Sequence, residues 1–179
     1  YWSLISKYAG AHKLDPYLVA ALIAQESTFD KDIGSSAGAI GLMQIMPATG
    51  RRWARRLGIR SFSTRRLTVA ETNVRIGTAY FADLLKQFGS EHAALAAYNA
   101  GESRVVRWQR ERPGLPRDEF IDDIPFPETQ NYVRRILGTA EDYRRLYGTR
   151  QKPAGPAKPA PPKTVPPKSG PPKPVLIKK

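Results

Sequence analysis

The helical spacing of apolar residues constrains the fold of this chain more than any other feature. Residues 72–88 carry the clearest pattern, because apolar side chains recur every three or four positions and Gly89 follows as a stop signal. Similar spacing, or helix start and stop signals, predicts further helices over residues 2–11, 15–30, 47–57, 92–99, 103–110 and 127–147, with Ser90 and Ser103 as candidate caps. No segment alternates convincingly between apolar and polar residues, and no long repeat is present. The sequence therefore predicts a compact all-α domain.

Two segments are predicted to be loops. Residues 112–126 contain three prolines and a glycine, which interrupt helices. Residues 34–41 contain three glycines among small residues, which allows close approach of the backbone to another group. This glycine-rich loop lacks the Gly-Lys-Ser/Thr ending of a P-loop, so nucleotide binding is not favoured.

The last 31 residues differ in composition from the rest. Residues 149–179, here called the basic tail, hold ten of the sixteen prolines, Arg150 and seven lysines, and no acidic residue. Such a composition cannot bury a core, so we predict a domain over residues 1–148 and a disordered linker or tail over 149–179. The basic tail carries +8 of the net charge of +13. Weak attraction of the basic tail to anionic polymers or membrane surfaces stays open, whereas specific nucleic-acid binding by the domain is not favoured.

Other compositional features exclude several kinds of site. The chain has no cysteine and only two histidines, which excludes disulfides and thiol catalysis and disfavours a zinc site; no metal or organic cofactor is expected. No apolar run is long enough to span a bilayer, and no signal peptide is recognisable. Because the chain begins with Tyr-Trp, we expect a fragment or a processed form that has lost any export signal.

Glu26 is the leading catalytic candidate. Asp15 is a good N-cap and Pro16 suits the first helical turn, so the helix start is well signalled. Glu26 follows Leu22 by four positions, which places it on the apolar stripe, and no Lys or Arg occurs within residues 16–30. Loss of hydration should raise the pKa of this carboxyl, so that it can donate a proton near neutral pH. The alternative is that Glu26 ends the helix and extends into water.

Three segments look like parts of one site: Gln25-Glu26-Ser27, Gly41-Leu-Met-Gln-Ile-Met-Pro47 and Ala97-Tyr-Asn-Ala-Gly101. In this order they resemble the catalytic domain of soluble lytic transglycosylases, bacterial cell-wall enzymes with a goose-lysozyme-like fold. The similarity continues through residues 124–129 and Tyr132, and covers residues 14–147. The resemblance implies a lysozyme-like α domain whose cleft binds the glycan strands of peptidoglycan.

The resemblance also implies a reaction. In that family a single glutamate, matching Glu26, cleaves the β-1,4 bond between N-acetylmuramic acid and N-acetylglucosamine without consuming water. The muramoyl C6 hydroxyl attacks C1 and leaves a 1,6-anhydro end. Glu26 would act first as general acid and then as general base, so that the second carboxylate of ordinary glycosidases is not needed.

The same resemblance implies the remaining site residues. Those matched to the cleft or its edge are Ser36, Gly41, Met43, Gln44, Tyr98, Asn99 and Glu128. Tyr98 is the best candidate to orient the substrate N-acetyl group or to stabilise developing charge, although its position also fits a packed aromatic. Gln44 and Asn99 equally suit a role in satisfying buried backbone groups. The bacterial cell envelope, with the periplasm as the expected compartment, is the implied location. Nothing in the sequence demands more than a monomer.

One departure from the family keeps other functions open. After Gly101 the family continues with Pro-Gly, whereas this chain has Glu102-Ser103. A hydrolytic muramidase would need a second carboxylate, for which Glu102, Asp122 and Asp123 are the candidates. A non-catalytic peptidoglycan-binding module within an envelope-spanning assembly is the alternative from another class.

Overall fold

The computed structural model describes residues 1–148, and within them the chain is helical, as predicted. Its α-helices are α1 (Trp2–Ala11), α2 (Pro16–Ser27), α3 (Pro47–Arg56), α4 (Ala70–Phe88), α5 (Glu91–Ala100), α6 (Glu102–Glu111), α7 (Arg117–Asp122) and α8 (Pro127–Tyr147), with a 3₁₀ helix at Thr64–Thr68. Extended pairing in this part of the chain is limited to isolated bridges from Ile40 to Gly34 and to Ile45. None of the helices within residues 1–148 is both long and apolar enough to cross a bilayer. The basic tail, predicted to be disordered, lies outside the described residues.

Local signals set the ends of the best-predicted helices. At the start of α2, the Asp15 carboxylate accepts a hydrogen bond from the Tyr17 backbone N–H at 2.9 Å, as expected of an N-cap. At the end of α4, Gly89 adopts a left-handed conformation with φ of +73°. The α8 helix begins at Pro127 and ends at Tyr147, as the sequence predicts.

The prediction that residues 112–126 form only a loop is wrong, because they contain the short helix α7. Pro116 directly precedes α7, where a proline costs no hydrogen bond, and Asp118 lies in its first turn. Phe120 and Ile121 are buried. Burial of these two side chains therefore offsets the helix-breaking tendency of the surrounding prolines.

The two serine caps are also not formed as predicted. Helix α6 begins at Glu102 directly after Gly101, which leaves Ser103 inside the helix. Ser90 does precede α5, but its hydroxyl makes no capping bond and lies 3.3 Å from Nε2 of His92. The family departure at Glu102-Ser103 therefore forms the first turn of a helix.

Helices α2 and α8 form the centre of the domain and run antiparallel. At one end, Nε of Arg144 lies 2.5 Å from the Asp15 carboxylate. At the other end, Glu26 lies beside Tyr132. Helix α5 packs against both α4 and α8, and most of α2 is buried. This arrangement holds the last turn of α2 between α8 and the loop that precedes α3.

Candidate active site

The Glu26 carboxyl occupies a largely apolar position in the last turn of α2. Its neighbours on the same helix face, Leu22 and Ile23, are fully buried. Desolvation raises the pKa of Glu26 from 4.5 to about 7, and a hydrogen bond from Tyr132 opposes this rise. The structure thus agrees with the sequence prediction of a raised pKa, and Glu26 can exchange a proton near neutral pH.

Tyr132 is the direct partner of Glu26 and was not among the predicted site residues. Its hydroxyl donates to Oε1 of Glu26 at 2.5 Å, across 106 positions of sequence. Burial, followed by the negative charge of Glu26, raises the pKa of Tyr132 well above its usual range, so the hydroxyl remains a donor. The only sequence signal for Tyr132 was its position three residues after the end of the 124–129 motif.

Tyr98 is a half-buried phenol within electrostatic reach of Glu26. Its hydroxyl donates to the carbonyl oxygen of Met43 at 2.7 Å, and its ring lies 5.2 Å from that of Tyr80. The pKa of Tyr98 is raised well above its usual range, first by burial and then by the charge of Glu26. Tyr98 therefore fixes the Met43 backbone and lies within electrostatic reach of Glu26.

Asn73 holds the loop that carries the Gly41–Pro47 motif. This fully buried side chain donates to the carbonyl oxygens of Ile40 and Leu67, both at 2.8 Å, and accepts from the Met43 N–H at 2.8 Å. Sequence reasoning missed it, because a polar residue near the start of a helix normally faces water. All three of its side-chain hydrogen bonds within the described residues are directed at backbone groups of the site region.

The motif residues on this loop do not occupy the positions expected of side chains that line a cleft. The Met43 side chain is fully buried and packs against Gly77, so it does not line an open surface. A Cβ atom on Gly41 would lie 2.4 Å from the Leu67 carbonyl oxygen, so Gly41 permits close backbone packing inside the domain. Gln44 is half-buried, and its Nε2 donates to the Gly41 carbonyl oxygen at 2.9 Å.

The remaining predicted residues are exposed. Asn99 accepts a hydrogen bond from the buried Thr129 hydroxyl at 2.7 Å, which joins the end of α5 to the start of α8. Glu128 lines a cavity of about 310 Å³ that Tyr132 also borders. Ser36 lies in the loop between α2 and α3 and makes no hydrogen bond to Glu26 among the described residues. The structure thus brings Tyr98 within electrostatic reach of Glu26 and places Glu128 at a cavity that Tyr132 also borders.

Each of the other candidate carboxylates has an arginine partner. The pairs are Glu102 with Arg52 at 3.6 Å, Asp123 with Arg112 at 2.6 Å, and Asp122 with Arg134. Glu102 also contributes to raising the pKa of Tyr80 to about 12, after burial as the larger cause. Within residues 1–148, burial and Tyr132 account for the shifted pKa of Glu26, and no neighbouring carboxylate contributes.

Removing the Tyr132 hydroxyl is expected to raise the pKa of Glu26 further. The hydroxyl donates to the charged form of the carboxyl, and hydrogen bonds to charged groups contribute about 1.5–3 kcal/mol, so Tyr132→Phe should raise the pKa by roughly 1 to 2. Carboxyl-carbon NMR titration of the labelled glutamates measures this value. Tyr143→Phe, on the same helix, is the matched control. An unchanged Glu26 pKa in Tyr132→Phe would show that the hydroxyl does not stabilise the carboxylate.

Glu26 is also expected to make the domain less stable as the pH rises. Its pKa is about 7 in the folded chain against an ordinary value of 4.5, so between these values the folded state binds the extra proton and stability falls with increasing pH. The difference in pKa corresponds to about 3 kcal/mol, lost between about pH 4.5 and pH 7. Urea unfolding at pH 4.5 and pH 8 should show this loss in the wild type and much less of it in Glu26→Gln. The exposed Glu128→Gln should retain the wild-type pH dependence.

Comparisons with protein families and with individual proteins all identify lytic transglycosylases as similar to this chain. The profile of the family described as Transglycosylase SLT domain matches residues 3–121. The soluble lytic murein transglycosylase of Escherichia coli K12 is 35% identical over 151 residues, covering 83% of this chain and 23% of that protein. The chain therefore spans about a quarter of the length of this relative.

Solved structures agree with the sequence comparison. The 70-kDa soluble lytic transglycosylase of Escherichia coli superposes with a TM-score of 0.79 at 35% identity, covering 83% of this chain and 24% of that one. A lytic transglycosylase from Pseudomonas aeruginosa, solved as an inactive mutant in which a glutamate is replaced by glutamine, gives a TM-score of 0.76 at 38% identity. That match covers 80% of this chain and 24% of the other. The helical fold described above is the fold of these structures.

Proposed function

Since the chain belongs to the Transglycosylase SLT domain family, we propose that it is a lytic transglycosylase that cleaves the glycan strands of peptidoglycan. The bond cleaved is the β-1,4 linkage between N-acetylmuramic acid and N-acetylglucosamine. The product carries a 1,6-anhydromuramoyl end. The observation that carries this proposal is the Glu26 carboxyl, with a pKa of about 7, a tyrosine as its hydrogen-bond partner and no carboxylate among the groups that shift that pKa.

Glu26 performs both proton transfers in the proposed reaction. In its protonated form it donates a proton to the glycosidic oxygen while the bond from that oxygen to C1 of the muramoyl residue breaks. The C6 hydroxyl of the same residue then forms a bond to C1, and its proton passes to the Glu26 carboxylate. The cycle consumes no water and returns Glu26 to its protonated form. A pKa of about 7 suits both steps, because neither protonation state is strongly favoured near neutral pH.

Tyr132 and Tyr98 support this chemistry from two sides. The Tyr132 hydroxyl orients the Glu26 carboxyl and stabilises it once the proton has been donated. The Tyr98 hydroxyl, anchored on the Met43 carbonyl, is proposed to present its oxygen to the substrate N-acetyl group. Among the other predicted substrate-binding residues, Ser36, Gln44, Asn99 and Glu128 offer polar side chains. Gly41 and Met43 act through the backbone of their loop.

The relatives support the assignment of Glu26 and of the cellular location. The Pseudomonas aeruginosa relative is inactive as a glutamate-to-glutamine mutant, and we propose that Glu26 is the counterpart of that glutamate. Peptidoglycan as substrate places the activity in the bacterial cell envelope, and we propose the periplasm. Two separate features support a single-carboxyl mechanism over hydrolysis: the arginine partners of Glu102, Asp122 and Asp123, and the lack of any carboxylate contribution to the pKa of Glu26.

Mass spectrometry of the soluble products released from purified peptidoglycan tests the proposed function. We expect muropeptides with anhydromuramoyl ends, which are lighter by one water molecule than the corresponding reducing ends. Reducing muramoyl ends would instead identify a muramidase. Well-folded protein that binds peptidoglycan without releasing products would identify a binding module.

A further inference from the structure

A second concave surface is lined by residues of α1, α2 and α8 and of the turn that follows α2. This surface, here called the aromatic groove, has a volume of about 490 Å³ and six aromatic side chains in its lining, from Tyr1, Trp2, Tyr17, Phe29, Tyr143 and Tyr147. The Trp2 and Tyr17 rings are 5.1 Å apart. Tyr143 and Tyr147 follow Tyr132 by 11 and 15 positions on α8, about 16–22 Å along the helix axis. The α8 side of the aromatic groove is therefore distant from Tyr132, and neither Glu26 nor Tyr132 lines the groove, although Phe29 follows Glu26 by only three positions.

Within residues 1–148, the aromatic groove exposes aromatic surface, and its tyrosine hydroxyls donate to no protein group. Tyr1, Trp2 and Tyr147 are 47%, 41% and 49% exposed, which is high for large aromatic residues clustered together. The tyrosine hydroxyls that hydrogen-bond within residues 1–148 are those of Tyr8, Tyr98 and Tyr132, none of which lines the groove. Aromatic grooves with outward-facing Tyr and Trp donors bind polyproline II segments, because proline rings pack on the aromatic faces and the segment's own carbonyls need donors.

The chain leaves the described domain at the edge of this groove. A Cβ atom on Gly148, directly after α8, would lie 4.0 Å from the ring of Tyr17. Four prolines in the sequence that follows are spaced three residues apart, at Pro153, Pro156, Pro159 and Pro162. A polyproline II helix has three residues per turn, so this spacing places the four rings along one edge. The five residues from Gly148 to Pro153 span up to about 17 Å, which is enough to turn back to the groove.

We propose that residues 153–162 of the basic tail bind in the aromatic groove of the same chain as a polyproline II segment. Proline rings on one edge of the segment pack between the aromatic side chains, and the tyrosine hydroxyls and the Trp2 indole N–H donate to its carbonyl oxygens. The short connection from Gly148 gives the segment an effective concentration of roughly millimolar at the groove, which favours this occupant over a second copy of the chain. The lysine-rich remainder, residues 163–179, would then begin from a fixed point on the domain surface.

Paramagnetic relaxation in the full-length chain tests this proposal independently of catalysis. Because the chain lacks cysteine, Ala157→Cys provides a single position for a nitroxide label. With the label in place, we expect the NMR signals of the Trp2 indole and of the Tyr17 and Tyr143 amides to be about fivefold weaker or more than in the serine variant described below, because a bound segment holds the label at the groove whereas a free nine-residue tether spreads it over roughly 16 Å and more. Amides of α3, which packs on α4 and the 3₁₀ helix, should keep their intensity.

Two proline variants and one mixing experiment decide the outcome. Replacing Pro153, Pro156, Pro159 and Pro162 by serine should reduce the weakening to the lower level that a freely moving tether gives. The matched control, with Pro166, Pro167, Pro171 and Pro172 replaced by serine, should keep it. Equal weakening in the first variant and in the otherwise unaltered labelled chain would overturn the proposal. The proposal would also be overturned if the signals weaken only when a labelled chain is mixed with a separate, isotope-enriched chain. The occupant of the groove would then be the tail of a second copy.

Discussion

Glu26→Gln is expected to lower the rate of peptidoglycan cleavage by about 10⁴-fold, because one residue supplies both general-acid and general-base catalysis in the proposed reaction. Glutamine has the same shape and can still accept the hydrogen bond from the Tyr132 hydroxyl, but it cannot donate a proton to the glycosidic oxygen. The fold should be retained, since the substitution removes a carboxyl that burial already disfavours in its charged form. The measurement is the initial rate of release of soluble muropeptides from purified peptidoglycan.

The matched control for this variant is Glu141→Gln. Glu141 lies on the exposed surface of α8 and is separated from an Arg117 nitrogen by 3.9 Å, so its replacement should leave the rate unchanged. Circular dichroism and urea unfolding of both variants establish that they are folded. A Glu26→Gln protein that keeps more than about a tenth of the wild-type rate would contradict the two-role assignment, because the loss would fall below that of even one positioned acid or base.

Asn73→Ala is expected to destabilise the domain by about 3–5 kcal/mol, the largest effect on folding that we expect from a single polar side chain here. The substitution leaves the buried carbonyl oxygen of Leu67 and N–H of Met43 without their partner, whereas the Ile40 carbonyl oxygen keeps its hydrogen bond from the Ile45 N–H. Each unsatisfied buried group costs about 1–3 kcal/mol, and partial relaxation of the loop reduces the sum. Urea unfolding at constant pH measures the free-energy difference.

Asn131→Ala provides the comparison for Asn73→Ala. Asn131 is an exposed asparagine on α8, and its replacement should change stability by less than about 0.5 kcal/mol. Asn73→Asp is informative as well, because it keeps the acceptor for the Met43 N–H but removes both donors and brings an oxygen against two carbonyl oxygens. It should be at least as destabilising as Asn73→Ala. Similar stabilities for Asn73→Ala and Asn131→Ala would mean that water replaces the lost hydrogen bonds.

The parts of the fold that the sequence predicted depend on local signals. The ends of α2 and α8 follow from Asp15, Pro16 and Pro127, whose effects act within one helical turn. The short helix α7 was missed because proline and glycine signals dominate its surroundings, while the burial that stabilises it comes from residues distant in sequence. Local signals also could not show that Ser90 and Ser103 leave the capping bonds unmade.

The sequence also predicted those features of the candidate site that depend on neighbouring residues, and missed those that depend on distant ones. The raised pKa of Glu26 followed from its place on an apolar stripe without a nearby cation, both of which can be read within a dozen residues. The contacts of Tyr132 with Glu26 and of Asn73 with Met43 cross 106 and 30 positions of sequence, and no local pattern specifies them. Motif matching marked Gly41 and Met43 as part of the site, but it could not separate a residue that contacts substrate from one that shapes the supporting loop.

The antiparallel pairing of α2 with α8 has a consequence for the order in which the protein becomes competent during synthesis. Glu26 leaves the ribosome more than a hundred residues before Tyr132 and Arg144, which contact the two ends of α2. A nascent chain that has not yet released α8 has no hydroxyl beside Glu26 and no partner for most of the apolar surface of α2. Glu26 therefore gains its final environment only as α8 docks, so that translation products that end before α8 lack the contact between Tyr132 and Glu26.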